Sequence, residues 1–253
     1  MTTLASLGIS CQTAFQLARF AERNPTSATF AKGPIDWLIC PPENLALWLD
    51  AGMPDFKRGE VTIRRGTPWW KRFDFERGEV TIRRGSTAWW KRFDIYFWHG
   101  FYTQPAQLWW QRIGNRFRSL IYAQTWHKSY LDIEANFARE LSKLAYGRER
   151  FRSLDPATTL FFISNTQNSL ATDVFAAGEE ARYHFSEASL QTLSESLKRF
   201  YGVPVRLHCV TRCDRATASM LSKANVSVLT PDQSVWTGDD KAWDGVLEQC
   251  LRE

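Results

Sequence analysis

Long apolar stretches are missing from this 253-residue chain: no run approaches the roughly 18 residues that a membrane-spanning helix requires. The first residues also lack the basic stretch and apolar core of a secretion signal. Leu7-Gly8-Ile9-Ser10-Cys11 has the outline of a lipoprotein cleavage site, but no basic, apolar leader stands before it. A cytoplasmic location is therefore expected, with no membrane partner. Cysteine is sparse and odd in number. The five residues at 11, 40, 209, 213 and 250 do not make the even, closely spaced set of a disulfide framework. His208-Cys209 with Cys213 falls short of the four ligands of a zinc site, so neither a metal nor a cofactor is expected. Histidine is scarcer still, at four residues, which leaves few imidazoles to serve as a base.

What the chain does contain is an ordinary globular mixture, 44% hydrophobic and 23% charged. Its length suits one large domain, and a single α/β domain over residues 1–253 is expected. The net charge of +5 is unevenly spread: between Lys57 and Arg118 there are 14 Lys/Arg against 5 Asp/Glu. Eight of the twelve tryptophans fall between Trp69 and Trp126. Basic residues interleaved with aromatics suit an anionic polymer, a nucleic acid or an acidic glycan, by phosphate neutralisation and ring stacking. The same region carries an internal repeat. Arg58 to Gly66 recurs unchanged at Arg77 to Gly85, and Trp-Trp-Lys-Arg-Phe-Asp occupies both 69–74 and 89–94. Solenoids need three or more units to bury a continuous core, so two copies point to a tandem duplication. Residues 57–95 accordingly read as a solvated surface insertion, and nucleic-acid binding is the lesser expectation. Glu-Val-Thr-Ile-Arg alternates with period two, which predicts a short strand in each copy.

Outside that region helices alternate with buried strands. Leu4 to Gly8 is a short apolar run, followed by a helix from Cys11 to Glu22 with Ala14, Phe15, Leu17, Ala18 and Ala21 on its buried face. Pro34 to Cys40 reads as the second strand and Glu43 to Ala51 as a short helix ended by Gly52. Further helices are expected over 106–120, 132–154 and 186–200, and a last one after Asp239-Asp240. Further strands are expected over 158–164, 203–210 and 225–229. The alternation predicts an α/β fold, a mixed sheet with helices on both faces.

Cys11 follows a strand, a glycine turn and Ser10, and it opens a helix. Free amides at a helix start favour an anion, so a thiol there is expected to have a lowered pKa and to act as a nucleophile. The bland alternative is a buried, inert cysteine.

Ser6-Leu7-Gly8-Ile9-Ser10-Cys11-Gln12, with Ala14, Gln16-Leu17 and Arg19, precedes Pro34-Ile35-Asp36-Trp37. This pattern resembles the opening of a bacterial family of papain-like cysteine peptidases, in which Ser-Leu-Gly-x-x-Cys enters a helix and Pro-Phe-Asp-Trp comes after it. Lys143 to Leu154, leading into Leu160-Phe161-Phe162, is similar to that family's basic helix and the strand after it. The resemblance spans about residues 3–50 and 120–170. It implies that Cys11 attacks a peptide, isopeptide or other acyl bond with help from a histidine. By the family's spacing that base is His127, although Lys128 stands where an acidic residue is expected; His99 is the alternative. The papain-like chain order implies Asn165 as the group that orients the imidazole, with Asp36 as its rival. Gln12, with the Cys11 amide, is the candidate oxyanion donor. Two functions are thus expected in order: a cysteine hydrolase, and otherwise a non-enzymatic binder of an anionic polymer.

Overall fold

In a computed structural model the described residues are 1–65, 86–97, 100–103, 130–167, 182–230 and 237–252. They form an α/β fold built on a five-stranded sheet. Its strands are β1 (Thr2–Ser6), β2 (Ala28–Ala31), β9 (Thr159–Ser164), β10 (Arg206–Arg212) and β11 (Val226–Leu229), in the spatial order β11-β10-β9-β1-β2. Every neighbouring pair runs parallel. The central strands β9 and β10 are buried almost throughout, as the middle of a parallel sheet demands, whereas the edge strands β2 and β11 are only partly covered. Along β9 the residues take opposite sides in turn. Leu160 and Phe162 meet α1 (Cys11–Arg23) and the C-terminal helix α6 (Asp240–Arg252); Phe161 and Ile163 join a larger core on the other face. That second face is covered by α3 (Ile133–Arg152) and α4 (Glu187–Tyr201). Behind α4 lies α2 (Pro42–Asp50), where Asp50 accepts hydrogen bonds from Ser196 and Arg199.

A four-stranded antiparallel sheet completes the larger core. Its order is β3-β6-β5-β4, with β3 at Leu38–Ile39, β4 at Val61–Arg65, β5 at Ser86–Trp90 and β6 at Ile95–Phe97. A small ribbon pairs β7 (Tyr102–Thr103) with β8 (Tyr130–Leu131), and a single helical turn, α5, covers Ala218–Leu221. The strands therefore mix directions between sheets, not within the main one.

Several expectations change. The second parallel strand is Ala28–Ala31; of Pro34–Cys40 only Leu38–Ile39 is extended, and it belongs to the antiparallel sheet. Those residues are apolar because they pack beneath a loop and a helix, not because they lie in the main sheet. On α1 the buried face runs through Ala14, Leu17 and Phe20, whereas Phe15 is 40% exposed. Gln16 takes a buried place because its amide donates to Thr237 O and Asp240 Oδ1, at 2.7 and 3.0 Å. The ends of the duplicated segment are not a solvated insertion. Phe56, Val61, Trp90 and Phe93 lie in the larger core, and Phe56 makes edge contacts with Trp90, Phe97 and Phe137. The second copy's expected strand and the helix expected over 106–120 lie outside the described residues.

Candidate functional site

Numbered along the chain, the five parallel strands stand in the order 2-1-3-4-5, one of the arrangements of doubly wound α/β sheets. After β1 the chain crosses through α1 to β2 on one side; β9, on the other side of β1, continues through α4 to β10. The connections leave β1 and β9 in opposite directions, which opens a crevice outside their C-terminal ends. Ligands bind there in this class of sheet. Cys11, the first residue of α1, sits at that crevice.

The loop that delivers it is tightly held. Leu7 N donates to Phe162 O at 2.7 Å, Gly8 N to Ser6 Oγ at 3.1 Å, and Thr13 Oγ1 to Gly8 O at 3.3 Å. Gly8 has φ +74°, and a Cβ there would stand 2.6 Å from Ile35 Cγ2, so the turn needs glycine. The next residue, Ile9, also has a positive φ of 54°, which a β-branched side chain adopts only under strain. Strain of this kind persists where surrounding contacts over-determine it, and it clusters at functional sites. Ser10 then takes the N-cap position in extended conformation without capping the helix. Its hydroxyl is buried and has no hydrogen-bond partner.

The Cys11 thiol is 7% exposed and donates to Gln167 Oε1 at 3.9 Å. Burial pushes its pKa up to about 11, against the smaller pull of its own backbone amide. The lowered pKa expected of a helix start is thus overturned, because desolvation outweighs the amides. At neutral pH the resting group is a thiol. Gln167 belongs to the polar turn after β9, and Arg215 fixes that turn by donating Nη1 to Asn165 O and Gln167 O, both at 2.6 Å. Burial and the neighbouring Arg212 lower the Arg215 pKa to about 10, which still leaves it charged.

The other sequence-derived residues divide. Gln12 is buried beside Cys11 and accepts from Thr166 Oγ1 at 2.6 Å, which ties α1 to the end of β9. Asn165 donates both amide hydrogens, to Tyr183 O and Arg215 O, and accepts from Thr211 Oγ1. Its side chain is a strut between three segments, with no bond to Cys11. Asp36 lies in the turn after β2, 1% exposed, with Oδ2 accepting from Gly33 N and Oδ1 without a partner. His127 and His99 lie outside the described residues. His208 is buried against Phe162 and hydrogen-bonds Ser227 Oγ, and His184 is exposed. All five cysteines are free. Among the described residues no cluster of His, Cys, Asp or Glu is arranged to hold a metal, and no helix is long and apolar enough to cross a membrane.

The sequence did not single out Ser10, Gln167 or Arg215. Gln167 stands in Ser-Asn-Thr-Gln-Asn, a polar run that reads as a turn after a strand, so only the fold separates it from Asn165. No family model matches the chain, and neither the curated proteins nor the solved structures include a match to it.

Proposed function

We propose that the protein is a cysteine-dependent hydrolase of peptide, isopeptide or related acyl bonds, with Cys11 as its nucleophile. The observation that carries this reading is the placement of Cys11 at the crevice of the parallel sheet, at the end of a loop strained at Ile9. The resemblance of the Ser6–Gln12 and Pro34–Trp37 segments to papain-like cysteine peptidases supports it.

Because the resting thiol has a pKa of about 11, attack needs a base close to the sulfur when substrate is bound. His127 is the proposed base and His99 its alternative. The imidazole takes the proton as Sγ bonds to the carbonyl carbon, and the carbonyl π pair moves to oxygen. The free amides of the first turn of α1 stabilise that oxyanion. Collapse of the intermediate expels the amine, which takes the proton from the imidazolium, and water then hydrolyses the thioester. Gln167, hydrogen-bonded to the thiol, holds the sulfur in place at rest.

A peptidyl acyloxymethyl ketone tests the proposal, with labelled protein read by intact mass and peptide mapping. One adduct is expected, on Cys11 and absent from Cys11→Ala. Its formation should slow by about 100-fold or more in His127→Ala, or in His99→Ala if that residue is the base. The reading fails if the exposed Cys213 is labelled first and Cys11 reacts only in denaturant.

A further inference from the structure

A cleft of about 480 Å³ lies between the 33–38 segment, the end of β6 and the outer face of α3. That volume suits one small molecule and is too small for a partner's helix. Cys11 is not among the described residues that line it. The inner walls are Leu38, Phe97 and Leu144, all buried and apolar. At the mouth stand Trp37, 48% exposed, and Tyr146, 65% exposed. Each ring has a cation over it, Lys32 at Trp37 and Arg150 5.7 Å from the centre of the Tyr146 ring, and the exposed remainder of each borders the apolar cavity, where a planar ligand can stack.

The charges select its sign. The acid among the described lining residues, Glu140, is nearly buried and already accepts from Arg139 and Lys143, at 2.9 and 3.0 Å. Its charge is answered within the protein. Lys32 and Lys143 both line the cleft and are exposed, and the Lys32 ammonium stands 6.0 Å from the centre of the Trp37 ring. Asp36 sits behind Gly33 at 1% exposure, where burial holds its pKa near 7, so it does not present a full negative charge. Three cations around one carboxylate leave a positive rim over an apolar slot.

We propose that this cleft binds a small aromatic carboxylate, its ring between Trp37 and Tyr146 and its anionic end at Lys32 and Lys143. The test is calorimetric titration of the whole protein with 2-naphthoate at low salt. The neutral 2-naphthalenemethanol and the cationic 2-naphthylmethylammonium serve as shape-matched comparisons. Saturable binding of 2-naphthoate is expected, at least tenfold tighter than either comparison and weakened by added salt. Trp37→Ala should weaken it about tenfold and Lys32→Gln about threefold; both side chains are exposed, and circular dichroism checks the fold. Absence of saturable 2-naphthoate binding, equal or tighter binding of the alcohol or the ammonium, or unchanged affinity in Trp37→Ala would each overturn the assignment. The ligand series on the unaltered protein decides the charge preference even if a variant misfolds.

Discussion

Gly147 in α3 lies so close to Pro34 that a Cβ on it would stand 2.9 Å from both the Cα and the nitrogen of that proline. Gly8 meets Ile35 as closely, from the other side of the same turn. The three segments that carry the family resemblance, around Gly8, around Pro34–Trp37 and in the basic helix, are therefore stacked on one another. Their sequence pattern encodes a packing unit that sets the Cys11 loop against α3.

Gly147→Ala tests that packing. Alanine gains up to about 1 kcal/mol of helix propensity over glycine in a helix interior. The backbone of Pro34 must move to admit the methyl group, and overpacking of this kind costs about 1–3 kcal/mol. A net loss of about 1 kcal/mol is expected, which for a chain of this size is a fall of roughly 2–4 °C in melting temperature. Gly245 in α6 is the control, since a Cβ there meets nothing within 4 Å. Gly245→Ala should stabilise by about 1 kcal/mol, again by propensity alone. Melts of the two variants that shift in the same direction would refute the close approach.

The larger elements were legible because their apolar residues keep a clear period. Helix α3 is expected over 132–154 and observed over 133–152; β9 is expected over 158–164 and observed over 159–164. Strand β2 is hard to read because Ala-Thr-Phe-Ala is short and weakly apolar, while Pro34–Cys40 is more apolar and mimics a strand. Hydrophobicity reports burial, and the turn residues Pro34–Asp36 are buried without being a strand. Cys11 was legible because a glycine and a serine before a helix mark an entrance. Its raised pKa was not, since burial at a helix start depends on what the rest of the chain lays over it.

Asp36 should make the protein less stable as pH rises toward neutrality. Burial raises its pKa to about 7, more than the Gly33 amide, Lys32 and Arg150 can offset. In the unfolded chain the group titrates near 3.8. Between those values the folded state holds a proton that the unfolded state has released. The stabilisation is therefore complete below about pH 4 and lost as pH climbs through 7, with an upper bound of about 4 kcal/mol. Asp50, Glu60 and Asp214, whose pKa values are lowered by hydrogen bonds, act in the opposite direction, so the Asp36 contribution must be isolated. Urea denaturation of Asp36→Asn and the parent at pH 5 and pH 8 does so. The variant should gain on the parent by a few kcal/mol between the two pH values; parallel curves would refute the buried, proton-binding carboxyl.

The duplicated segment makes a sharper prediction, because the described strands draw on one half of each copy. Strand β4 is Val61–Arg65 from the first, and β5 is Ser86–Trp90, running into the second Trp-Trp-Lys-Arg-Phe-Asp. Proline explains the choice for β5. In the first copy Pro68 precedes Trp69-Trp70, where the second has Ala88 before Trp89-Trp90. Ala88 is an inner-strand residue between Ile63 and Phe97, a position proline cannot fill without losing a ladder bond. For β4 the copies are equivalent. Phe56 in the core, Glu60 accepting from Trp90 Nε1 and Arg64 bonded to Tyr96 all have identical twins, at Phe75, Glu79 and Arg83. Deleting 66–84 therefore joins Arg65 to Gly85 and keeps every strand residue. Only the outermost pair, Arg65 with Ser86, must open to form a short glycine-containing hairpin loop. Deleting 56–74 instead gives a chain that differs from the first product at one position, glutamate in place of Lys57. Both should fold, with matching melting temperatures. They should also be more stable than the parent by about 1 kcal/mol, since a shorter connection costs less entropy to close. Circular dichroism melts of the three proteins decide it. If either deletion prevents folding, the second copy contributes packing of its own and the two are not interchangeable.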